Sequence, residues 1–210
     1  MKRGLLLLSA IFLTLVLIFA GLKLSGTVEL RDLQSLRYPT TLVEVLAAAG
    51  RGEFGIGDFD NVPNSLEVSE LQPGDIILGG NPGGSYGRYT HAGFYIGNGQ
   101  VVDMYTSDGV YVTGVEAYRN YTWVAVLRVN TSPEIRSAAV NYVIQQVGSP
   151  FFILAPKADD GLWYCSKLVW YAYYRKGIDL DAFHNSYWIV PDAILSSPKT
   201  TLVSFTGSRP

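Results

Sequence analysis

Cysteine and histidine are nearly missing from this chain. Among 210 residues there is one cysteine, Cys165, and there are two histidines, His91 and His184. A lone cysteine excludes an intramolecular disulfide and a cysteine-rich zinc site. The two histidines stand too far apart for the helical pair of a zinc hydrolase. The Gly-rich stretch 79–90 does not end in the Gly-Lys-Ser/Thr of a phosphate loop, so no metal and no cofactor is implied. Charge is scarce as well. The net charge is −2, which leaves no electrostatic case for nucleic acid. Repeats and low-complexity segments are absent.

What remains is rich in apolar residues and glycine. Hydrophobic residues make up 48% and there are 22 glycines, a composition suited to a strand-and-turn globular domain. The length allows one domain with a real core and barely allows two.

The N-terminus carries a strong signal of another kind. Lys2 and Arg3 precede an almost wholly apolar run, residues 4–22, which Lys23 closes. A helix of roughly 20 apolar residues spans a bilayer. Phe19-Ala20-Gly21 is a poor cleavage site because its first residue is bulky, and Leu24-Ser25-Gly26 is weak, which favours an uncleaved anchor over a cleaved signal peptide. The positive flank stays inside. The expected layout is therefore a signal anchor or signal peptide at 1–23, a tether with a short helix (42–49) and a Gly-rich loop over 24–65, and a catalytic domain over 66–210. That domain is expected outside the cytoplasm, membrane-anchored or secreted.

Within the domain, Gln72-Pro73-Gly74-Asp75 reads as a type II turn leading into a strand at 76–78. Two strands, 92–96 and 100–105, flank Gly97-Asn98-Gly99, a hairpin signal. Further strands are expected at 110–115, 123–129 and 200–205. Ser132 and Pro133 open a helix that Gly148 ends, a second helix runs from near Cys165 to Arg175 or Lys176 with Gly177 as its stop, and Pro191 opens a short helical turn. Helices with a meander of antiparallel strands make an α+β protein.

Cys165, Leu168, Val169 and Ala172 follow helical spacing, so the thiol lies on a buried face. It also sits in the first turn, where free backbone N–H groups and the helix dipole favour a thiolate and can bind an oxyanion. Taken alone, a single cysteine is most often a small buried hydrophobe. His91 opens the strand 92–96 on the face away from Ala92, Phe94 and Ile96. Gly93 beside it leaves room for another side chain or a substrate. A histidine there can exchange a proton with the thiol. Asp103, on the partner strand, is the candidate to orient the ring. A two-residue Asn98-Gly99 turn would put Asp103 on the face of Phe94, whereas a three-residue loop with Gly99 in a bulge puts it beside His91. The catalytic assignment thus requires the longer loop. His184 follows an acidic turn and reads as a surface residue. Trp163 and Tyr164, ahead of the cysteine, and Tyr86 and Tyr89, ahead of the histidine, are the candidate substrate contacts. Core packing is an equally good reading of the aromatic cluster around Trp163 and Trp170.

These pieces resemble a known family. Leu71-Gln72-Pro73-Gly74-Asp75-Ile76-Ile77, then Thr90-His91-Ala92-Gly93-Phe94-Tyr95-Ile96-Gly97, then Val101-Val102-Asp103, are similar to the histidine half of NlpC-type cysteine peptidases. Trp163-Tyr164-Cys165-Ser166-Lys167-Leu168-Val169-Trp170 comes after that half instead of before it, as in the circularly permuted YiiX-like branch, which is akin to lecithin retinol acyltransferase. The resemblance spans roughly residues 66–205. It implies a permuted papain-like fold with the cysteine helix packed on a small antiparallel sheet or barrel, with Cys165 as nucleophile, His91 as base and Asp103 third. Two positions depart from the pattern: relatives often carry Glu at Asp103 and an acidic residue at Lys167. Three functions stay open: hydrolysis of peptide or isopeptide bonds, including cell-wall peptides; lipid-directed acyl transfer or phospholipase activity; and a catalytically silent binding module. Partners are accordingly a peptide-like or lipid-like substrate, and a membrane through residues 4–22.

Cys165→Ser tests the thiol directly. Serine's hydroxyl is far less ionised at neutral pH, so the variant is expected to keep its circular-dichroism spectrum and lose turnover by about a thousandfold or more. Undiminished turnover would exclude a thiol nucleophile.

Overall fold

The computed structural model of the chain describes residues 63–84, 87–105, 107–184 and 187–207. The apolar run 4–22, the tether and the expected helix 42–49 lie outside these residues. Among the described residues no helix is long and apolar enough to cross a membrane.

Six strands form one antiparallel sheet in the order β4-β3-β2-β1-β5-β6. They are β1 (Ile76–Gly80), β2 (His91–Gly97), β3 (Gln100–Tyr105), β4 (Gly109–Gly114), β5 (Trp123–Val129) and β6 (Thr200–Thr206). The helices are α1 (Pro133–Gln145), α2 (Cys165–Tyr174) and α3 (Pro191–Leu195), and a 3₁₀ helix, Val115–Asn120, links β4 to β5. The α+β expectation holds, with an open sheet in place of a barrel. The 3₁₀ helix is the element the sequence patterns did not reveal, because six residues carry too little periodicity to register.

Alternation along the strands divides the core in two. Ile76, Leu78, Ala92, Phe94, Val102 and Met104 face α1 and α2. Ile77, Tyr95, Val101, Val124 and Val126 face the other way and are covered by Leu66, Tyr118 and Tyr121. Helix α2 is the central piece. Leu168, Val169 and Ala172 are buried as their spacing predicts, but eight of its ten residues are buried in all, so the opposite face is covered too. The cover consists of flanking segments held by side-chain hydrogen bonds: Lys167 Nζ donates to Leu162 O at 2.7 Å, Ser166 Oγ to Ile189 O at 2.8 Å, and Trp170 Nε1 to Asp179 Oδ1 at 2.7 Å. Each fully buried Leu or Val contributes about 1.5–3 kcal/mol, which makes α2 a rigid platform for its first residue, Cys165.

Two turns set the geometry near the site. Asp75 N donates to Gln72 O at 2.9 Å and Gly74 takes φ +97°, the expected type II turn. The hairpin between β2 and β3 differs from expectation. Gly97 pairs with Gln100 across a two-residue turn in which Asn98 (φ +54°) and Gly99 (φ +71°) are both left-handed, as a type I′ turn requires. A bulge between Tyr95 and Gly97 then takes up Ile96, so that Tyr95 pairs with Val101 and Phe94 with Val102. The bulge replaces the three-residue loop, and the strand register beyond it is the same: Asp103 stands on the face of His91.

The turn before β1 is anchored by an ion pair. Asp75 is fully buried, and it accepts from Arg128 Nε at 2.9 Å, Arg128 Nη2 at 2.7 Å and Gln72 N at 2.8 Å. Removing one partner of such a pair strands a buried charge or its donors. Asp75→Ala is expected to lower the unfolding free energy by about 3 kcal/mol in urea titration. A loss below about 0.5 kcal/mol would show that the pair is dispensable.

Candidate active site

His91 is the first residue of β2, at the rim of the sheet, and α2 packs along that strand. This explains how two faces of a sheet supply one site. The imidazole belongs to the face of Tyr95 and Val101, while the Cys165 thiol belongs to the helix side. At the strand end the two come close enough for Cys165 to add to the raised basicity of the ring.

One ring nitrogen is taken. His91 Nε2 lies 2.5 Å from Asp103 Oδ1, and the ring must donate there because a carboxylate only accepts. That leaves Nδ1 as the nitrogen open to sulfur. Asp103 Oδ1 also accepts from Met104 N at 2.7 Å, and Oδ2 accepts from the Tyr118 hydroxyl at 3.2 Å. Cys165, His91 and Asp103 are 7%, 2% and 3% exposed, so the group is shielded from water.

Burial alone would depress the basicity of His91. The charge of Asp103 and the hydrogen bond to it, with a smaller contribution from Cys165, together outweigh that burial, and the imidazole is pushed up to about 10. The Asp103 carboxylate thus favours the charged form of the ring.

Three tyrosines complete the enclosure, and sequence patterns did not single them out. The Tyr105 ring stacks on the imidazole at 4.5 Å and 15°, and Tyr121 lies nearly parallel to it at 5.8 Å and 8°. The Tyr105 and Tyr121 hydroxyls bond to each other. Tyr118 stands 6.0 Å away, tilted by 36°. Two glycines admit them. A Cβ at Gly79, which pairs with His91, would come within 2.7 Å of the Tyr121 ring. One at Gly93 would come within 2.0 Å of the Tyr118 hydroxyl. The space expected beside Gly93 therefore holds a side chain. Glycines flanking a strand histidine were the signal that something large must come in from elsewhere. Burial pushes the phenols of Tyr105, Tyr118 and Tyr121 up, and the charge of Asp103 adds to this, so they remain neutral donors.

The expected substrate contacts need correction. Trp163 is fully buried, packed against Tyr142 and Tyr171. The Tyr164 hydroxyl accepts from Ile189 N at 2.9 Å, and the ring is buried. Tyr89 is buried as well. All three are buried core side chains among the described residues. Tyr86 lies outside the described residues. His184 is exposed in a turn, as read from the sequence. Lys167 directs its ammonium to Leu162 O. Burial lowers its basicity, partly offset by Asp159 and Asp160, and its ammonium lies 5.0 Å from the Trp163 ring centre. Among the described residues no group of three or more His, Cys, Asp or Glu side chains could hold a metal ion.

At the start of α2, Tyr164 offers no capping side chain. The first-turn N–H groups stand beside the sulfur, where negative charge would gather on a carbonyl oxygen under attack.

Comparison with known proteins gives the family and the fold. Residues 69–204 match the family described as permuted papain-like amidase enzyme, YaeF/YiiX, C92 family. Among curated proteins, YycO of Bacillus subtilis (strain 168) is 31% identical over 124 residues, 57% of this chain and 50% of that protein. The gamma-DL-glutamyl hydrolase of the same organism is 26% identical over 143 residues, 66% of this chain and 34% of that enzyme. The chain thus spans half or less of the curated relatives it matches. Among solved structures, the metalloprotein YiiX of Escherichia coli O157:H7 superimposes with a TM-score of 0.53 at 18% identity, covering 67% of this chain and 99% of that one. The fold is the permuted papain-like one.

The raised basicity of His91 has a consequence for stability. A group whose native basicity exceeds its unfolded value stabilises fully below the unfolded value, near 6.5, and loses that contribution as pH rises toward about 10. Unfolding free energy is expected to fall from pH 6.5 to 10 in the wild type, by at least about 1 kcal/mol more than in His91→Gln. Parallel pH profiles for the two proteins would contradict the buried imidazolium.

Proposed function

We propose, since the chain belongs to the permuted papain-like amidase family, that it is an extracytoplasmic cysteine amidase cleaving peptide-like substrates, with Cys165 as nucleophile and His91 as its acid–base partner. The observation that supports this reading is the buried His91–Asp103 pair, with Cys165 near enough to influence the ring. The family is described as one of amidases, which supports amide-bond cleavage. The activity, the residue roles, the substrate and the location are the proposal.

In the first half-reaction the Cys165 thiolate attacks the amide carbonyl carbon. The carbonyl oxygen becomes an oxyanion facing the first-turn N–H groups of α2. As the tetrahedral intermediate collapses, the C–N bond breaks, the imidazolium gives its Nδ1 proton to the departing amine, and a thioester remains on sulfur. In the second half-reaction His91, now neutral, takes a proton from water as that water attacks the thioester. The C–S bond breaks, releasing the acid and restoring the thiolate–imidazolium pair. Asp103 stays ionised throughout, holding the ring orientation and stabilising its charged form.

Two further observations support the finer reading. The similarity to a gamma-DL-glutamyl hydrolase supports substrates with a γ-glutamyl linkage. The basic-flanked apolar run 4–22 supports export of the domain.

A substrate panel tests the proposal. Purified residues 24–210 are expected to release amines from γ-D-glutamyl peptides and to leave phospholipid vesicles intact, with Cys165→Ala and His91→Ala each slower by about a thousandfold or more. Cleavage of the phospholipid alone would refute the amide reading, and full activity in Cys165→Ala would refute the thiol mechanism.

A further inference from the structure

Tyr118 is wholly buried in the 3₁₀ helix between β4 and β5, and its hydroxyl donates to Asp103 Oδ2 at 3.2 Å. The carboxylate has two inequivalent oxygens here. Oδ1 is shared by His91 Nε2 and the Met104 N–H. Oδ2 has Tyr118. A carboxylate that turns about its Cβ–Cγ bond loses its aim at the imidazole, and a donor on the far oxygen opposes that turn. The fold is arranged around this contact. β2 carries Gly93 where a Cβ would lie 2.0 Å from the phenol oxygen, and the Val101 side chain would also be struck at 2.7 Å. Of the twenty amino acids, glycine alone leaves this position open to the tyrosine.

We infer that Tyr118 is a positioning residue of the reaction: it pins the second oxygen of Asp103, so that the first stays on His91 and the imidazolium stays in line with Cys165. The inference rests on the proposed thiolate–imidazolium reading and adds a fourth member to it from an element far from the recognisable motifs. Tyr118 touches neither substrate nor the reacting atoms and acts through Asp103. The ionisable groups around the imidazole are Cys165 from α2, Asp103 and Tyr105 from β3, Tyr118 from the 3₁₀ helix and Tyr121 from the turn after it. Tyr111 of β4 packs behind Tyr105.

Tyr118→Phe keeps the ring and removes the donor. Without that O–H dipole the negative charge of Asp103 is less compensated, the potential at the sulfur is more negative, and the thiolate forms at higher pH. Alkylation of Cys165 by iodoacetamide, followed across pH, is expected to show its acidic limb about half a unit higher than in the wild type. On a γ-D-glutamyl peptide kcat is expected to fall about tenfold with KM within about twofold. Gly93→Ala, which crowds the phenol from the other side, is expected to shift the limb in the same direction. An unmoved limb in Tyr118→Phe overturns the assignment, whether turnover is normal or is lost together with thermal stability. A wild-type thiol that alkylates with the same pH profile folded and urea-unfolded overturns the dyad itself, and the role of Tyr118 with it.

Discussion

The 2.5 Å contact between His91 and Asp103, made out of reach of water, is what the rest of the domain is built to sustain. Two ionisable groups placed in a protein interior cost several kcal/mol in lost hydration, and they persist only where geometry and further hydrogen bonds compensate. Each surrounding feature supplies part of that compensation. The bulge at Ile96 brings the two side chains to one face. The Met104 N–H and the Tyr118 hydroxyl serve the carboxylate oxygens. Tyr105 and Tyr121 enclose the ring, and glycines at 79 and 93 leave space for the enclosure.

The same enclosure gives the thiol its chemistry. An imidazolium in a low-dielectric pocket attracts a thiolate more strongly than it would in water. Cys165, the proposed nucleophile, stands on a helix buried on nearly every side, so its position is set by core packing. Sheet, helix and enclosure thus assign separate tasks: β2 and β3 set the charge of the ring, and α2 sets the place of the sulfur. Circular permutation leaves this division intact because it alters the order of the pieces along the chain and not their contacts in space.

Much of this was legible from the chain alone. The type II turn at Pro73-Gly74, the strands around Asn98-Gly99, the Ser132-Pro133 helix start and the helix beginning at Cys165 each rest on local chemistry, and each appears where that chemistry puts it. The Asp103 position was tied to a loop length, and the register came out as needed although a different device delivers it, because a bulge and a longer turn both add one residue to the same strand. Less legible were features that depend on long-range packing. Tyr118 and Tyr121 come from a short 3₁₀ helix and the turn that follows, with no period to reveal them. Trp163, Tyr164 and Tyr89 were read as substrate contacts by nearness in sequence to the reactive residues, whereas the loops that close around α2 bury them. Nearness in sequence marks the neighbourhood of a site and not the direction in which a side chain faces.

The central claim is that the His91 ring is an ionised partner of Cys165, held by Asp103. Nitrogen-15 NMR of the histidine side chains measures it directly, and with His91 and His184 as the two histidines of the chain the signals separate in a His184→Gln variant. The account predicts imidazolium shifts for His91 through pH 8 and their loss in Asp103→Asn. A His91 ring that is neutral at pH 7 and unchanged in Asp103→Asn would contradict it.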